Sequence, residues 1–207
     1  MKTKHLSSEN SEDAITWNVF RSLQQLDPTI WLPEMFTTSF NMPFPYSTQH
    51  TNIKLWKLLQ PPQERKNMEG PTEIDILIET DEFVWIMEAK YKSDISMETK
   101  HDKDRNQIIR NIDVGSIYSN KKDFYFTLLA LQPEVAPKGY STIKEYKEDG
   151  SKIDVQLDPR KVSNLKGIEF LTWSEIIDVL ASFETKTPDE YEKYVAERAR
   201  RWLEGKI

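Results

Sequence analysis

The chain has 207 residues, of which 38% are hydrophobic, 30% charged and 11% aromatic, a composition that predicts a folded domain with a sizeable core rather than a disordered chain. It contains no cysteine, which excludes disulfides, zinc–thiolate sites and thiol nucleophiles. The formal net charge of −6 would repel nucleic acid globally, so that only a local basic surface could bind it.

Sequence patterns disfavour two further classes of protein. The three histidines, His5, His50 and His101, show no His-x-x-His or His-Glu-x-x-His spacing, which argues against a zinc hydrolase. No stretch approaches the roughly 18 uninterrupted apolar residues of a membrane span. The Met-Lys-Thr-Lys start also lacks the apolar core of a signal peptide. We therefore expect a cytoplasmic protein with no membrane partner.

The first predicted element is a helix over residues 10–26, where apolar residues recur at helical spacing and Asn10 or Ser11 can act as the N-cap. Residues 27–70 are rich in proline and aromatic residues, so they are predicted to be irregular, with one strand near residues 51–59. Five aromatic residues of this segment could stack bases, although core packing is the stronger prediction for most of them: Trp31, Phe36, Phe40, Phe44 and Tyr46.

Residues 70–90 read GPTEIDILIETDEFVWIMEAK and are predicted to form two adjacent antiparallel strands. Apolar residues occur on both faces of these strands, which is typical of a central sheet covered by helices on both sides. The segment nevertheless carries Asp75 near its start and Glu88-Ala89-Lys90 at its end. Buried charges are costly unless they are paired or bind a metal, so these residues need a chemical explanation.

The rest of the chain predicts a mixed α/β protein, because helical patterns alternate with apolar runs of strand length. The predicted strand over 123–131 is apolar on both faces, as expected inside a sheet. In chain order, the remaining predicted elements are a helix over 104–119, a strand over 123–131, a hairpin over 139–165, a strand over 167–171, a helix that begins at a capping box over 172–175, and a C-terminal helical extension over about 187–207.

The register of the predicted hairpin brings its charged residues together. A tight turn at residues 81–82 would place Asp75 opposite Glu88 and Glu73 opposite Lys90. Because strand side chains alternate, Asp75, Glu88 and Lys90 would then share one face of the sheet. Six apolar residues would point to the other face: Ile74, Ile76, Ile78, Trp85, Met87 and Ala89.

Two facing carboxylates repel each other, so the hairpin predicts a bound cation. Mg²⁺ suits this position because it prefers oxygen ligands, takes one or two protein carboxylates and completes its shell with water and phosphate oxygens. Lys90 could then orient an attacking water or neutralise the charge that grows on a phosphate. This arrangement predicts phosphodiester hydrolysis. The alternative is that Lys90 forms only a surface ion pair with Glu88 or Glu73, worth at most about 1 kcal/mol.

On these residues the sequence resembles the PD-(D/E)xK nuclease superfamily, the restriction-endonuclease-like fold. Its motif is an acid on one core strand and Glu-x-Lys on the next, which Asp75 and Glu88-Ala89-Lys90 match. Ile74 stands where the motif usually has proline. Members commonly carry a glutamate near the start of the first helix and a glutamine in the helix after the motif, and Glu12 and Gln107 are at those places. The resemblance covers residues 9–180. Within the superfamily, the sequence is similar to a bacterial branch.

The resemblance implies one nuclease-like domain over residues 1–207, with a central mixed sheet flanked by helices. It implies that Asp75, Glu88 and Glu12 bind Mg²⁺ or Mn²⁺. Lys90 would position the nucleophile, and Gln107 would complete the site. DNA is favoured over RNA as the substrate, and a homodimer is compatible with the resemblance because many members dimerise.

Lys92 and Arg110 are candidates for phosphate contacts, because residues 90–110 carry six Lys or Arg against four Asp or Glu. Each auxiliary residue also has a plainer explanation. Glu12 could only favour the positive end of its helix, Gln107 and Arg110 could form an ordinary solvated helix face, and Lys92 could be an exposed lysine. The rival function is a nucleic-acid-binding or assembly module that keeps the fold but does not cleave.

Overall fold

The computed structural model describes residues 11–62, 70–98, 105–157 and 162–207. In this part of the chain a mixed five-stranded sheet is flanked by helices. The strands are β1 Asn52–Leu59, β2 Thr72–Glu79, β3 Phe83–Ala89, β4 Asp123–Ala130 and β5 Leu165–Thr172. The helices are α1 Glu12–Leu23, α2 Pro28–Phe40, α3 Gln107–Ser119, α4 Pro137–Glu148, α5 Ser151–Leu157, α6 Trp173–Lys186 and α7 Glu190–Glu204.

The strands follow one another across the sheet in the order β1-β2-β3-β4-β5. The first three strands pair antiparallel, whereas β3, β4 and β5 pair parallel. A short turn joins the antiparallel strands β2 and β3, whereas parallel strands require a crossover, which α3 provides between β3 and β4 and α4 and α5 provide between β4 and β5. The prediction that β2 and β3 are adjacent antiparallel strands of a mixed sheet is confirmed.

Each face of the sheet has its own hydrophobic core. The first core contains Ile76, Ile78 and Trp85 from the sheet together with residues of α1, α2, α6 and α7. The second contains Leu77 and Ile86 together with residues of α3, α4 and α5. Side chains of β2 and β3 are therefore covered on both sides, which explains why their sequences are apolar almost throughout.

Two segments form helices where the sequence predicts none. Within residues 27–70, α2 begins with Asp27 as its N-cap and Pro28 in the first turn, where the missing N–H of proline costs nothing. Its apolar residues, including Trp31 and Met35, then face the first core at helical spacing. The predicted irregular segment is therefore wrong over α2, although its strand is confirmed as β1.

The predicted hairpin over 139–165 is wrong, because α4 and α5 occupy most of that segment. In α4, Gly139, Thr142, Ile143 and Tyr146 are buried at helical spacing between the charged residues. The N-terminus of α4 is capped from a distance: the carboxylate of Asp94 accepts hydrogen bonds from the backbone N–H groups at positions 138 and 139, over 2.8 and 3.0 Å. No local signal in the sequence of α4 shows that cap.

Helix α6 begins as predicted, whereas α7 begins at Glu190, slightly after the predicted start near residue 187. Thr172 and Glu175 form a reciprocal capping box at the start of α6, and the Asp189 side chain caps α7. The C-terminal extension does more than continue the chain, because α7 buries Ala196 and Leu203 in the first core. It is therefore an integral layer of the fold.

The β2–β3 register is the predicted one as far as Ile76, which pairs with Met87. Within the described strands the ladder stops there, short of the predicted pairs of Asp75 with Glu88 and of Glu73 with Lys90. The prediction fails because the Asp75 carboxylate itself bonds to the backbone of β3, where it accepts a hydrogen bond from the N–H of Ala89.

The β1–β2 ladder is distorted at the same level. Leu55 pairs with Ile76 and Lys57 with Ile74, but Trp56, which would face Asp75, has a φ of 53°. This distortion reverses the alternation of side chains: Ile76 packs in the first core and Ile74 in the second. The prediction that Ile74 and Ile76 share a face is therefore wrong.

Candidate active site

The centre of the candidate site is an ion pair at the end of β3. The Nζ atom of Lys90 lies 2.7 Å from Oε1 of Glu88. Glu88 is only 2% exposed and Lys90 only 7% exposed. The alternative that these residues form a surface ion pair is therefore wrong. A buried ion pair is tolerated only when its remaining polar atoms are also satisfied, so further partners are expected.

Helix α3 supplies those partners. Nε2 of Gln107 donates to Oε1 of Glu88 over 2.5 Å, and Nδ2 of Asn111 donates to Oε2 over 2.6 Å. The two amides lie four residues apart and therefore project from the same face of the helix. The structure thus brings Gln107 to Glu88, as predicted. The sequence-based prediction omitted Asn111, although its position four residues after Gln107 indicates that the two side chains share a helix face.

Glu12 reaches the site from the first turn of α1. Its Oε2 accepts hydrogen bonds from the backbone N–H of Tyr91, over 3.1 Å, and from Oγ of Ser93, over 3.0 Å. Its Oε1 lies 3.8 Å from Nζ of Lys90. Glu12 therefore does more than favour the positive end of its helix. It ties α1 to the segment after β3 and places a second carboxylate near Lys90.

Asp75 approaches the same residues from β2. Its Oδ2 accepts a hydrogen bond from the backbone N–H of Ala89 over 3.0 Å. Burial raises the pKa of Asp75 well above its usual range and the charge of Glu88 adds to that rise, while the charge of Lys90 and the Ala89 hydrogen bond oppose it. Asp75 and Glu88 are therefore close enough to repel each other when both are ionised.

The cluster has more negative than positive charge. Three carboxylates, those of Asp75, Glu88 and Glu12, act on the ammonium group of Lys90. Burial alone would lower the pKa of Lys90, but the charges of Glu88 and Glu12 outweigh it, so that the pKa is raised above its usual value. Lys90 is consequently protonated at neutral pH. It can donate hydrogen bonds and stabilise negative charge, but it cannot act as a general base.

The two predicted phosphate contacts have different surroundings. Lys92 is exposed, and its Nζ lies 4.9 Å from the centroid of the Tyr91 ring. Arg110 instead binds the start of β2: its Nε donates to Oγ1 of Thr72 over 2.9 Å, and its Nη2 donates to the carbonyls of residues 70 and 71 over 3.2 and 3.1 Å. Lys92 therefore stays a candidate for a phosphate contact, whereas the Arg110 side chain holds the start of the strand that carries Asp75.

The oxygen donors of the cluster are of the kind that Mg²⁺ and Mn²⁺ prefer. Within residues 11–62, 70–98, 105–157 and 162–207, no three acidic or histidine side chains are arranged as a complete metal site. Mg²⁺ does not require one, because it typically takes one or two carboxylates and fills its octahedron with water and phosphate oxygens. Asp75 and Glu88 offer hard oxygen donors in a cluster whose excess negative charge a cation would relieve. Glu12 adds a further carboxylate on the side of Lys90.

The aromatic residues proposed to stack bases lie elsewhere. Trp31, Phe36 and Phe40 are buried in the first core, and Phe44 and Tyr46 pack against it. Core packing, the stronger prediction, is therefore confirmed for these residues.

Comparisons with known proteins add no assignment. A scan against protein-family models, a search of curated proteins and a search of solved structures each found no match to this chain. In the part of the chain that the structure describes, no helix is both long enough and apolar enough to cross a membrane.

Proposed function

We propose that this protein is a metal-dependent nuclease that hydrolyses phosphodiester bonds, with DNA favoured over RNA as the substrate. The observation that carries the proposal is the convergence of Asp75, Glu12 and Gln107 on the buried pair Glu88 and Lys90. These residues come from two strands, the segment after β3 and two helices. Their convergence supports the resemblance to the PD-(D/E)xK nucleases, whose members carry an acid, a lysine or a glutamine at the corresponding places.

Asp75 and Glu88 would hold Mg²⁺ or Mn²⁺, with Glu12 as a further carboxylate. When bound, such an ion supplies Lewis-acid polarisation of a phosphate oxygen and a more acidic water. Lys90, held protonated by its acidic neighbours, donates to the attacking water or to the phosphate oxygen on which charge grows. Gln107 and Asn111 fix the Glu88 carboxylate so that its oxygens keep one orientation.

One observation favours the rival function, a nucleic-acid-binding or assembly module that does not cleave. Both oxygens of Glu88 already accept hydrogen bonds from protein groups, namely Lys90, Gln107 and Asn111. Such a satisfied network could stabilise the fold without any metal. The two functions differ in one measurable respect, since only the nuclease requires a divalent cation for turnover.

The experiment is a cleavage assay with Mg²⁺ or Mn²⁺ on single-stranded DNA, duplex DNA and RNA, combined with calorimetric titration of the metal. The parent protein should cleave at least one substrate and lose that activity in EDTA. Asp75→Asn and Glu88→Gln should abolish both metal binding and cleavage while the thermal unfolding transition is retained. Glu148→Gln, on the exposed side of α4, is the matched control and should behave like the parent.

Two results would contradict the proposal. Full cleavage by Asp75→Asn and Glu88→Gln would show that the activity of the preparation does not come from this cluster. Nucleic-acid binding by the parent without cleavage in either metal would favour the rival module.

Lys92 provides a separate test of the substrate contact. If its ammonium neutralises one phosphate, Lys92→Ala should reduce the slope of log affinity against log salt by about one unit, for every substrate sequence. An unchanged slope would show that Lys92 does not contact a phosphate of the substrate.

A further inference from the structure

Trp17 and Trp56 form an aromatic stack beside the candidate site. Trp17 lies on α1 and Trp56 on the edge strand β1, and their rings are nearly parallel, with centroids 5.5 Å apart and an interplanar angle of 5°. The guanidinium carbon of Arg21 lies over the Trp17 ring, 4.4 Å from its centroid. Both tryptophans are partly exposed, and neither belongs to either hydrophobic core.

The conformation of Trp56 is costly for the fold. Its φ of 53° is rare for a bulky residue and marks local strain. Its indole Nε1 is buried and has no hydrogen-bond partner among the described residues, which adds a cost that most buried donors avoid. By the alternation of β1, Trp56 would lie on the same side as Lys54, whose Nζ contacts Tyr118 of α3. The positive φ instead brings its ring to Trp17 of α1.

The stack and the acidic cluster share helix α1 and the paired strands β1 and β2. Trp56 occupies the β1 position that faces Asp75, and neighbouring strands are about 5 Å apart. Trp17 is five residues after Glu12 on α1, which corresponds to about 7.5 Å along the helix axis. A nucleotide next to the one held at the cluster would therefore be within reach of the stack.

We infer that the Trp17–Trp56 stack binds an unpaired nucleobase, so that the substrate is single-stranded nucleic acid or a duplex with an unpaired end. An aromatic surface is sequence-tolerant because every base has a π face, whereas the bases of a duplex already stack on one another. Arg21 is exposed, and such cation–π contacts are weak. A base can replace its guanidinium on Trp17 and release it to pair with the adjacent phosphate. This inference takes nucleic acid as the ligand from the proposed function, but it does not depend on cleavage.

The test compares two strands that differ only in their bases. A short oligothymidylate and an abasic strand of equal length carry the same phosphates. Binding is measured by fluorescence anisotropy in Ca²⁺, which prefers a larger and more flexible coordination shell than Mg²⁺, and strand integrity is checked on a denaturing gel. The parent protein should bind the oligothymidylate about tenfold more tightly than the abasic strand, the effect of one stacked base.

Trp17→Leu should remove most of that preference and leave the affinity for the abasic strand unchanged. Leucine is a good helix former, so α1 should be retained, which thermal unfolding can verify. Tyr194→Leu is the control, because Tyr194 is an aromatic residue of α7 that is 58% exposed, and it should behave like the parent. The difference in affinity of the parent protein for the two strands tests the inference even if Trp17→Leu fails to fold.

Equal affinity of the parent for the two strands would overturn the inference, as would an equal loss for both strands in Trp17→Leu. Neither result would affect Mg²⁺-dependent cleavage, which is measured separately. Conversely, a base preference that depends on Trp17 in a protein without cleavage would support the inference and contradict the nuclease proposal.

Discussion

Nδ2 of Asn111 donates a hydrogen bond to Oε2 of Glu88 over 2.6 Å, and both residues are buried. This bond satisfies the Glu88 oxygen that Lys90 and Gln107 do not contact. Removing one partner of a buried hydrogen bond to a charged group leaves that group desolvated and unpaired, at a cost of about 1–3 kcal/mol or more.

Asn111→Ala is therefore expected to lower the free energy of unfolding by about 1–3 kcal/mol and to reduce cleavage, because the Glu88 carboxylate can then rotate. Chemical denaturation and the cleavage assay measure the two effects. Asn18→Ala, at an exposed position of α1, is the control: it should leave cleavage unchanged and alter the free energy of unfolding by less than about 1 kcal/mol. An Asn111→Ala protein as stable as the parent would show that the bond contributes nothing to the fold.

The pKa of Asp75 predicts how stability depends on pH in the absence of metal. Because folding raises this pKa, the folded state binds the proton more tightly than the unfolded chain. Below the usual aspartate pKa of about 4, both states are protonated and there is no cost. Stability is lost as the pH rises from there through the raised pKa of the folded state, and the cost stays constant above it.

Asp75→Asn should remove that cost and still accept the hydrogen bond from Ala89. In EDTA it should unfold at a higher temperature than the parent near neutral pH and at nearly the same temperature near pH 4, about the usual aspartate pKa. A tenfold difference in proton affinity between the two states would be worth about 1.4 kcal/mol. Asp154→Asn on α5 is the control. An equal shift at both pH values would show that proton binding by Asp75 is not the cause.

The sequence predicted the parts of the fold that depend on local pattern. Alternating and continuous apolar runs identified β2, β3 and β4, and the capping box at Thr172 identified the start of α6. Prediction from the sequence failed where contacts between residues far apart in the chain determine the structure. The charged segment that forms α4 is capped by Asp94, more than forty residues earlier in the chain, and no local pattern reports such a contact.

The sequence predicted which residues form the candidate site but not how their side chains are arranged. The hairpin register led to Asp75, Glu88 and Lys90, the resemblance to the PD-(D/E)xK nucleases added Glu12 and Gln107, and the structure brings these residues together. Strict alternation could not foresee that the Asp75 side chain would bond to the β3 backbone. Strict alternation also could not foresee the positive φ of Trp56, which brings its ring to Trp17.

Gly115 lets α3 lie close to the sheet. A Cβ atom at this position would lie 2.5 Å from Cζ of Phe124 and 2.7 Å from Cδ1 of Ile86, both buried. Gly115→Ala should therefore destabilise the fold by about 1–3 kcal/mol through overpacking, despite the better helix propensity of alanine. It should also reduce cleavage, because α3 carries Gln107. Gly150→Ala meets no atom within 4 Å and is the control. If chemical denaturation gives Gly115→Ala the same free energy of unfolding as the parent, the contact between α3 and the sheet is not as tight as described.

Lys90 provides the strongest test of the relation between charge and catalysis. Lys90→Met removes the ammonium group and leaves the carboxylates of Asp75, Glu88 and Glu12 without their positive neighbour. Breaking a buried ion pair in this way is expected to cost about 3–5 kcal/mol in EDTA. Mg²⁺ should restore much of that stability, since the cation replaces the lost charge.

Cleavage by Lys90→Met should nevertheless fall at least about 100-fold, because the metal ligands remain but a donor to the transition state is lost. Thermal unfolding with and without Mg²⁺, calorimetric metal titration and single-turnover cleavage separate these effects. Lys144→Met, whose side chain is 67% exposed, is the control and should match the parent in all three measurements. If Lys90→Met binds metal and cleaves at the parental rate, Lys90 has only a structural role, and the acids alone must account for catalysis.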